Sequence, residues 1–205
     1  MRRVLTFLAL LSAAACGDAT SPFSHAVRQQ ILQPKQDIPY GSLLEATPPE
    51  LVAQFDFEIL YVDVPSRRQE TVMRPFADNS NVMTWVGANK TSLYLRDDFI
   101  VIGSRGYGDD LAAALRPGWD ELIRLSQSHQ RYTSSYRHWG ADEKLETMDF
   151  DCGAEIKGNL LIEACSNQEI HFENTYEISS TLDLIGATTQ WISLSIGTIK
   201  MMRLN

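Results

Sequence analysis

The chain has 205 residues, with 18 basic side chains against 26 acidic ones and a formal net charge of −8 at pH 7. That balance argues against nucleic acid or an anionic bilayer face as a partner, because either would be repelled at long range. It also disfavours a non-specific grip on acidic polysaccharide unless a local basic patch supplies it. The length suits one domain with a sizeable core.

Met1-Arg2-Arg3 opens the chain, followed by an apolar run Val4–Leu11 and then Ser12-Ala13-Ala14-Ala15-Cys16. A basic head, a short apolar stretch and small residues before a cut describe a secretory signal peptide over residues 1–15. The run is well short of the roughly 20 residues a permanent membrane helix needs. Cysteine directly after the small residues is the lipobox pattern, in which Cys16 takes a diacylglycerol and further acyl chains such as palmitate. Ala13 stands where lipoboxes usually carry Leu, and an ordinary signal peptide cut nearby is the competing reading. Each buried acyl methylene adds about 0.8 kcal/mol to membrane affinity, so a multiply acylated terminus is a durable anchor. Gly17 rather than Asp after the cysteine favours the outer membrane. Loss of Arg2 and Arg3 with the leader makes the mature chain more acidic still.

Residues 16–24 are mostly small or polar and read as a lipidated tether, leaving 25–205 as a single periplasmic β-rich domain. Ser24 can cap a helix over His25–Leu32 that Pro34 stops. Pro39, Gly41, Pro48 and Pro49 punctuate the next stretch. A strand is predicted over Phe55–Val62, where alternation gives way to an apolar run. Met83–Val86, Thr91–Leu95 and Phe99–Ile102 follow with tight connections, as in an antiparallel meander.

Gly103-Ser104-Arg105-Gly106-Tyr107-Gly108-Asp109-Asp110-Leu111 is the most distinctive segment. Its glycines suggest a phosphate cradle, but the spacing is neither G-x-G-x-x-G nor a P-loop. A tight strand-to-helix turn is favoured, with Asp109 or Asp110 capping a short helix Leu111–Leu115 and Arg105 pairing with a carboxylate. A ligand-contacting loop built on Arg105, Gly106, Gly108 and Asp110, with Trp85, is the alternative. Pro117-Gly118 stops the helix, and another is predicted near Trp119–Leu125.

Strands are then expected around Gln130–Trp139, Leu145–Ile156, Leu160–Ser166, Ile170–Ser179, Leu182–Trp191 and Ile199–Leu204. In the first, Tyr132, Tyr136 and Trp139 beside Arg131 and Arg137 either line a sugar-binding face or simply alternate between core and surface. Alternation is the favoured reading. With Cys16 assigned to lipid, Cys152 and Cys165 remain as an even pair in an oxidising compartment. Gly158-Asn159 is a good two-residue hairpin turn. Counting outward from it places Cys152 opposite Cys165 on a non-hydrogen-bonded pair, where side chains approach most closely. A structural disulfide is expected there, in preference to a redox or metal site. The fold expected is mainly β, an antiparallel sandwich or open barrel with two or three short helices.

The four histidines lack metal-ligand spacing, no Gly-x-Ser-x-Gly is present, and the carboxylate pairs sit at turns. No metal, no cofactor and no catalysis is expected.

Thr84-Trp85-Val86, the apolar hairpin after it, and Ser104-Arg105-Gly106-Tyr107-Gly108 with Asp110-Leu111 resemble the Trp…Thr-Arg-Gly-x-Gly-x-Asp-Leu stretch of the YjbF family, the GfcB-like group 4 capsule polysaccharide lipoproteins. Cys152, Glu163-Ala164-Cys165, Phe172-Glu173-Asn174-Thr175-Tyr176, Gln190-Trp191 and Gly197 recur in that family's order. Glu177, Ser179 and Thr198 depart from its pattern. The resemblance implies a fold akin to periplasmic lipoprotein carriers. It also implies a non-catalytic accessory role in exopolysaccharide or capsule assembly or export, with export proteins or glycan as partners. Two alternatives stand beside it: a carrier of lipid or another apolar ligand, and a hydrolase acting on glycans.

Overall fold

The computed structural model describes residues 57–97, 99–139 and 144–204, with position 53, all within the compact unit Gln36–Asn205. The predicted leader, Cys16, the tether and the His25–Leu32 helix lie outside the described residues. Among the described residues, no helix is long and apolar enough to cross a membrane.

Twelve strands follow in chain order: β1 (Ile59–Val64), β2 (Gln69–Asn79), β3 (Val82–Gly87), β4 (Ser92–Arg96), β5 (Ile100–Arg105) and β6 (Leu111–Leu115), then β7 (Arg131–Trp139), β8 (Leu145–Lys157), β9 (Leu160–Ser166), β10 (His171–Ile178), β11 (Leu184–Ser193) and β12 (Gly197–Leu204). A 3-10 turn, Pro65–Arg67, joins β1 to β2, and helix α1 (Trp119–Ser128) joins β6 to β7. All twelve form one sheet in the order β5-β4-β3-β2-β1-β12-β11-β10-β9-β8-β7-β6. The end strands β5 and β6 are consecutive in sequence. The sheet curls until they meet, where the Leu111 N–H donates to Ser104 Oγ at 2.9 Å. The result is a nearly closed antiparallel barrel, within the range the sequence predicts.

Alternation decides which side chains face inward. In β9, Leu161, Glu163 and Cys165 are buried; in β10, Phe172, Asn174, Tyr176 and Ile178 are. In β1 every residue is buried. Pro75, which has no N–H to give a ladder, sits in β2 at a register shift against β3. Inside, the Phe172 and Trp191 rings stack at 4.5 Å, with Tyr136 edge-on to Trp191 at 5.3 Å. Burying a large apolar side chain of this kind stabilises the fold by roughly 1.5–3 kcal/mol.

Helix α1 packs on the barrel end that holds Ile100, Leu161 and Ile178, inserting Leu122 and setting Trp119 edge-on to Tyr176 at 5.7 Å. Gly118 offers it no side-chain cap; instead the Trp119 N–H donates to Asp97 Oδ2 at 3.1 Å. Tyr107 and Ile196 are buried at the opposite end.

One expectation is corrected, and one strand is added. Leu111–Leu115 is strand β6, with Leu111 opposite His138 and Ala114 opposite Tyr136. Five residues make too few intrahelical bonds to hold a helix, and pairing with β7 overrides the helix preference of three alanines. Of the expected short helices, α1 forms where Trp119–Leu125 was predicted, and the His25–Leu32 helix lies outside the described residues. Strand β2 was not anticipated: its charges, Pro75 and its bulge break the alternation a prediction needs.

Candidate functional site

The barrel interior contains a polar network beside its aromatic core. Arg116 leaves the end of β6 and reaches inward, where its side chain and that of Glu163 are both 0% exposed. Arg116 Nη2 donates to Glu163 Oε2 and to the Tyr176 hydroxyl, and Nη1 donates to Gln190 Oε1 at 3.1 Å. Glu163 also accepts from Asn174 Nδ2 at 2.7 Å and from the Tyr132 hydroxyl at 2.8 Å. Asn174 then accepts from the Trp191 N–H at 2.7 Å. Two buried charges are tolerated here because nearly every lone pair and proton between them has a partner.

Burial by itself would lower the pKa of Arg116, but Glu163 and the surrounding tyrosines hold it above its ordinary value, so it stays charged. Burial pushes the Tyr136 hydroxyl up to about 12, opposed by Arg116. Tyr132 and Tyr176 are raised as well, again by burial first. These hydroxyls are donors and acceptors at neutral pH, not bases.

The residues that carry the family resemblance converge on this interior. Cys152, Glu163, Cys165, Phe172, Asn174, Tyr176, Gln190 and Trp191 are all buried. Arg116, which binds them together, escaped the sequence reading. Its position before Pro117-Gly118 marks a turn and gives no hint of burial. For Glu163, Asn174 and Gln190 a signal did exist: each is polar at the inward phase of an alternating strand.

Cys152 faces Cys165 in the β8–β9 ladder, with Lys157 opposite Leu160, and the two sulfurs are bonded at a Cα–Cα distance of 4.1 Å. Gly158 takes φ +63°, the left-handed conformation that suits glycine in this turn. The two sulfurs and a Glu163 oxygen lie within 4.8 Å of one another. With the sulfurs joined, no thiolate is available, and Glu163 is committed to Arg116.

The glycine-rich segment is a structural turn, but not a helix cap. Asp110 accepts from the Gly106 and Tyr107 N–H groups, each at 2.8 Å, and so holds the loop that drives the Tyr107 ring into the core. A Cβ at Gly106 would lie 2.7 Å from the Lys90 carbonyl oxygen, at a φ of +87°, so backbone approach requires glycine there. Gly108 also has positive φ, beside the Arg67 guanidinium. Asp109 accepts from the Ser195 N–H and hydroxyl at 3.2 and 2.9 Å, tying the loop to the β11–β12 turn. Trp85 lies far inside, on β3. Arg105 is exposed, and no ion pair to a carboxylate forms there among the described residues. Tyr136 faces the core and Tyr132 reaches inward to Glu163, while Arg131, Arg137 and Trp139 face out, as alternation predicts.

Outside the barrel, where β5 and β6 meet, lies a shallow hollow of about 550 Å³. Tyr94 and Trp139 stand on either side of it, and Ser104, Arg105, Asp110 and Ala112 contribute to its lining.

The fold is thus a nearly closed antiparallel barrel whose interior carries an aromatic core, a buried ion pair and a disulfide. The chain belongs to the YjbF family, described as group 4 capsule polysaccharide lipoprotein gfcB, whose model matches residues 44–204. Membership places the protein among lipoproteins of the cell envelope connected with capsule polysaccharide. The crystal structure of the hypothetical lipoprotein YmcC from Escherichia coli (K12) has the same fold. It superposes with a TM-score of 0.61 at 13% identity, covering 84% of this chain and 96% of that one. No curated protein matches the sequence.

Proposed function

We propose that this protein is anchored in the outer membrane by lipid on Cys16, faces the periplasm, and assists assembly or export of a capsule-type polysaccharide through contact without catalysis. The observation that carries this reading is the aromatic and ion-paired barrel interior in a chain of this family: Arg116, Glu163, Asn174 and Gln190 are engaged with one another and with backbone. The lipobox at Ala13–Cys16 supports the anchor, and Gly17 supports the outer membrane. Export proteins or the glycan itself are the partners this role implies.

The lipid-carrier reading needs an open apolar chamber. The interior described here is occupied by Tyr136, Phe150, Phe172 and Trp191 and crossed by the Arg116–Glu163 pair, which favours the contact role. The hydrolase reading needs two carboxyls facing a cleft, roughly 5 Å apart for retention or about 6.5–9.5 Å for inversion. Glu163 is sealed from solvent, and Asp109 and Asp110 bind loop backbone.

Deleting the gene and measuring surface polysaccharide tests the proposal. The expected result is a clear loss, restored by the wild-type gene and not by one carrying Cys16→Ser. Unchanged surface polysaccharide in the deletion strain would overturn it.

A further inference from the structure

The hollow at the β5–β6 seam joins aromatic, small and charged residues: Tyr94, Trp139, Ala112, Arg105 and Asp110. Trp139 is 55% exposed, whereas Trp85 and Trp191 are 1% and 5% exposed and belong to the core. This indole, opposite Leu145 in the β7–β8 ladder, keeps more than half of its surface in water. It offers a flat, electron-rich face on which the C–H side of a pyranose can stack.

The floor between the two aromatics is made of small residues. Ala112 faces outward on β6, and Gly103 on β5 lies opposite Tyr94. A Cβ at Gly103 would come within 3.0 Å of Tyr94 Cδ2 and 3.4 Å of the Leu111 carbonyl oxygen. Tyr94 therefore lies down across Gly103, so the cleft is shallow enough for a chain to lie along it. At its end stands the exposed Arg105 guanidinium, whose five N–H donors suit sugar hydroxyls or a sugar carboxylate. The register is held from below by the Ser104–Leu111 bond and the grip of Asp110 on its loop, so the lining is built and not improvised.

We propose that this hollow is a glycan-binding site, in which an extended saccharide chain stacks on Trp139 and is held by Arg105. The inference deepens the function proposed above and rests on it for the class of ligand. A protein of net charge −8 offers no diffuse attraction for an acidic glycan, so the grip must be local and falls to these two side chains. Tyr94 acts as a second wall and sets the direction of the chain across the seam.

The test uses the full-length protein in detergent micelles and follows tryptophan fluorescence. It titrates cellohexaose, chitohexaose and the galacturonic acid hexamer up to about 10 mM, the weak end of specific binding. At least one probe is expected to change the emission saturably. Trp139→Ala should abolish the signal, and isothermal calorimetry should show binding weakened by roughly tenfold or more, as expected for removal of an aromatic anchor. Arg105→Ala should weaken binding comparably, and Lys157→Ala, a remote surface cation, should leave it unchanged. Failure of all three probes to bind the wild type would overturn the proposal, as would variants at Trp139 and Arg105 that bind like wild type. Such a failure leaves the export role to protein contacts. An export role lost through unchanged surface polysaccharide in the deletion strain leaves the binding result standing.

Discussion

Gln190 and Val101 lie on strands that never pair, yet the Val101 N–H donates to Gln190 Oε1 at 3.0 Å across the barrel. The same amide donates from Nε2 to the Phe99 carbonyl at 2.6 Å. One side chain thus stands in for a neighbouring strand along the free edge of β5. Gln190→Leu would strand that N–H, that carbonyl and one Arg116 donor in a dry interior. Each such group costs about 1–3 kcal/mol. The midpoint of urea unfolding should fall substantially, and an unchanged midpoint would show that the bonds of Gln190 to β5 do not support the fold.

The Arg116–Glu163 pair should behave as a unit. Removing either partner leaves an uncompensated buried charge, so Arg116→Met or Glu163→Leu alone should cost about 3–5 kcal/mol. The double variant should lose much less than the sum of the two. Additive losses in a double-mutant cycle would contradict the coupling.

The three cysteines should separate by location and stability. Cys16→Ser should move the protein from the membrane fraction to the soluble fraction with its unfolding midpoint intact. Cys152→Ser should leave it in the membrane fraction and cost roughly 3 kcal/mol of stability, the chain-entropy value for a loop of this length. The reverse pattern would undo both assignments.

Stability should also decline in mild acid through His138. Burial lowers its pKa below the ordinary 6.5, against the pull of Asp109 and Glu146, and neither ring nitrogen has a hydrogen-bond partner. The unfolded chain therefore takes up this proton more readily than the folded one. The stabilising contribution is complete above pH 6.5 and is lost as pH falls toward the depressed folded value. Burial raises Asp109, but bonds from Ser193 and Ser195 and the neighbouring His138 outweigh it and hold it below 3.8, so its contribution is lost only at lower pH still. His138→Phe should flatten the pH dependence in the first window only. A variant with the wild-type slope there would mean another group is responsible.

The β8–β9 hairpin was the most legible part of the fold. One turn, Gly158-Asn159, sets the register of every pair outward to Cys152 and Cys165, so local chemistry determined a non-local contact. Leu111–Leu115 was misread because its alanines favour a helix in isolation, whereas its strand state depends on β7, many residues downstream. The interior site was harder still. Arg116, Tyr132, Glu163, Asn174 and Gln190 are scattered along the chain, and only closure of the barrel brings them together. Their polarity at inward positions was visible; the identity of each partner was not.

The pairing of β1 with both β2 and β12 has a mechanical consequence. β1 lies within the sheet, between β2 and β12. Five residue pairs join β1 to β12 and five join it to β2, so an axial pull is resisted in shear by two ladders together, not peeled bond by bond. The weak line of the barrel, the seam between β5 and β6, lies at the far edges of the sheet from that pull. β1 is thus held by backbone on both sides, while the β5–β6 seam is held by side chains.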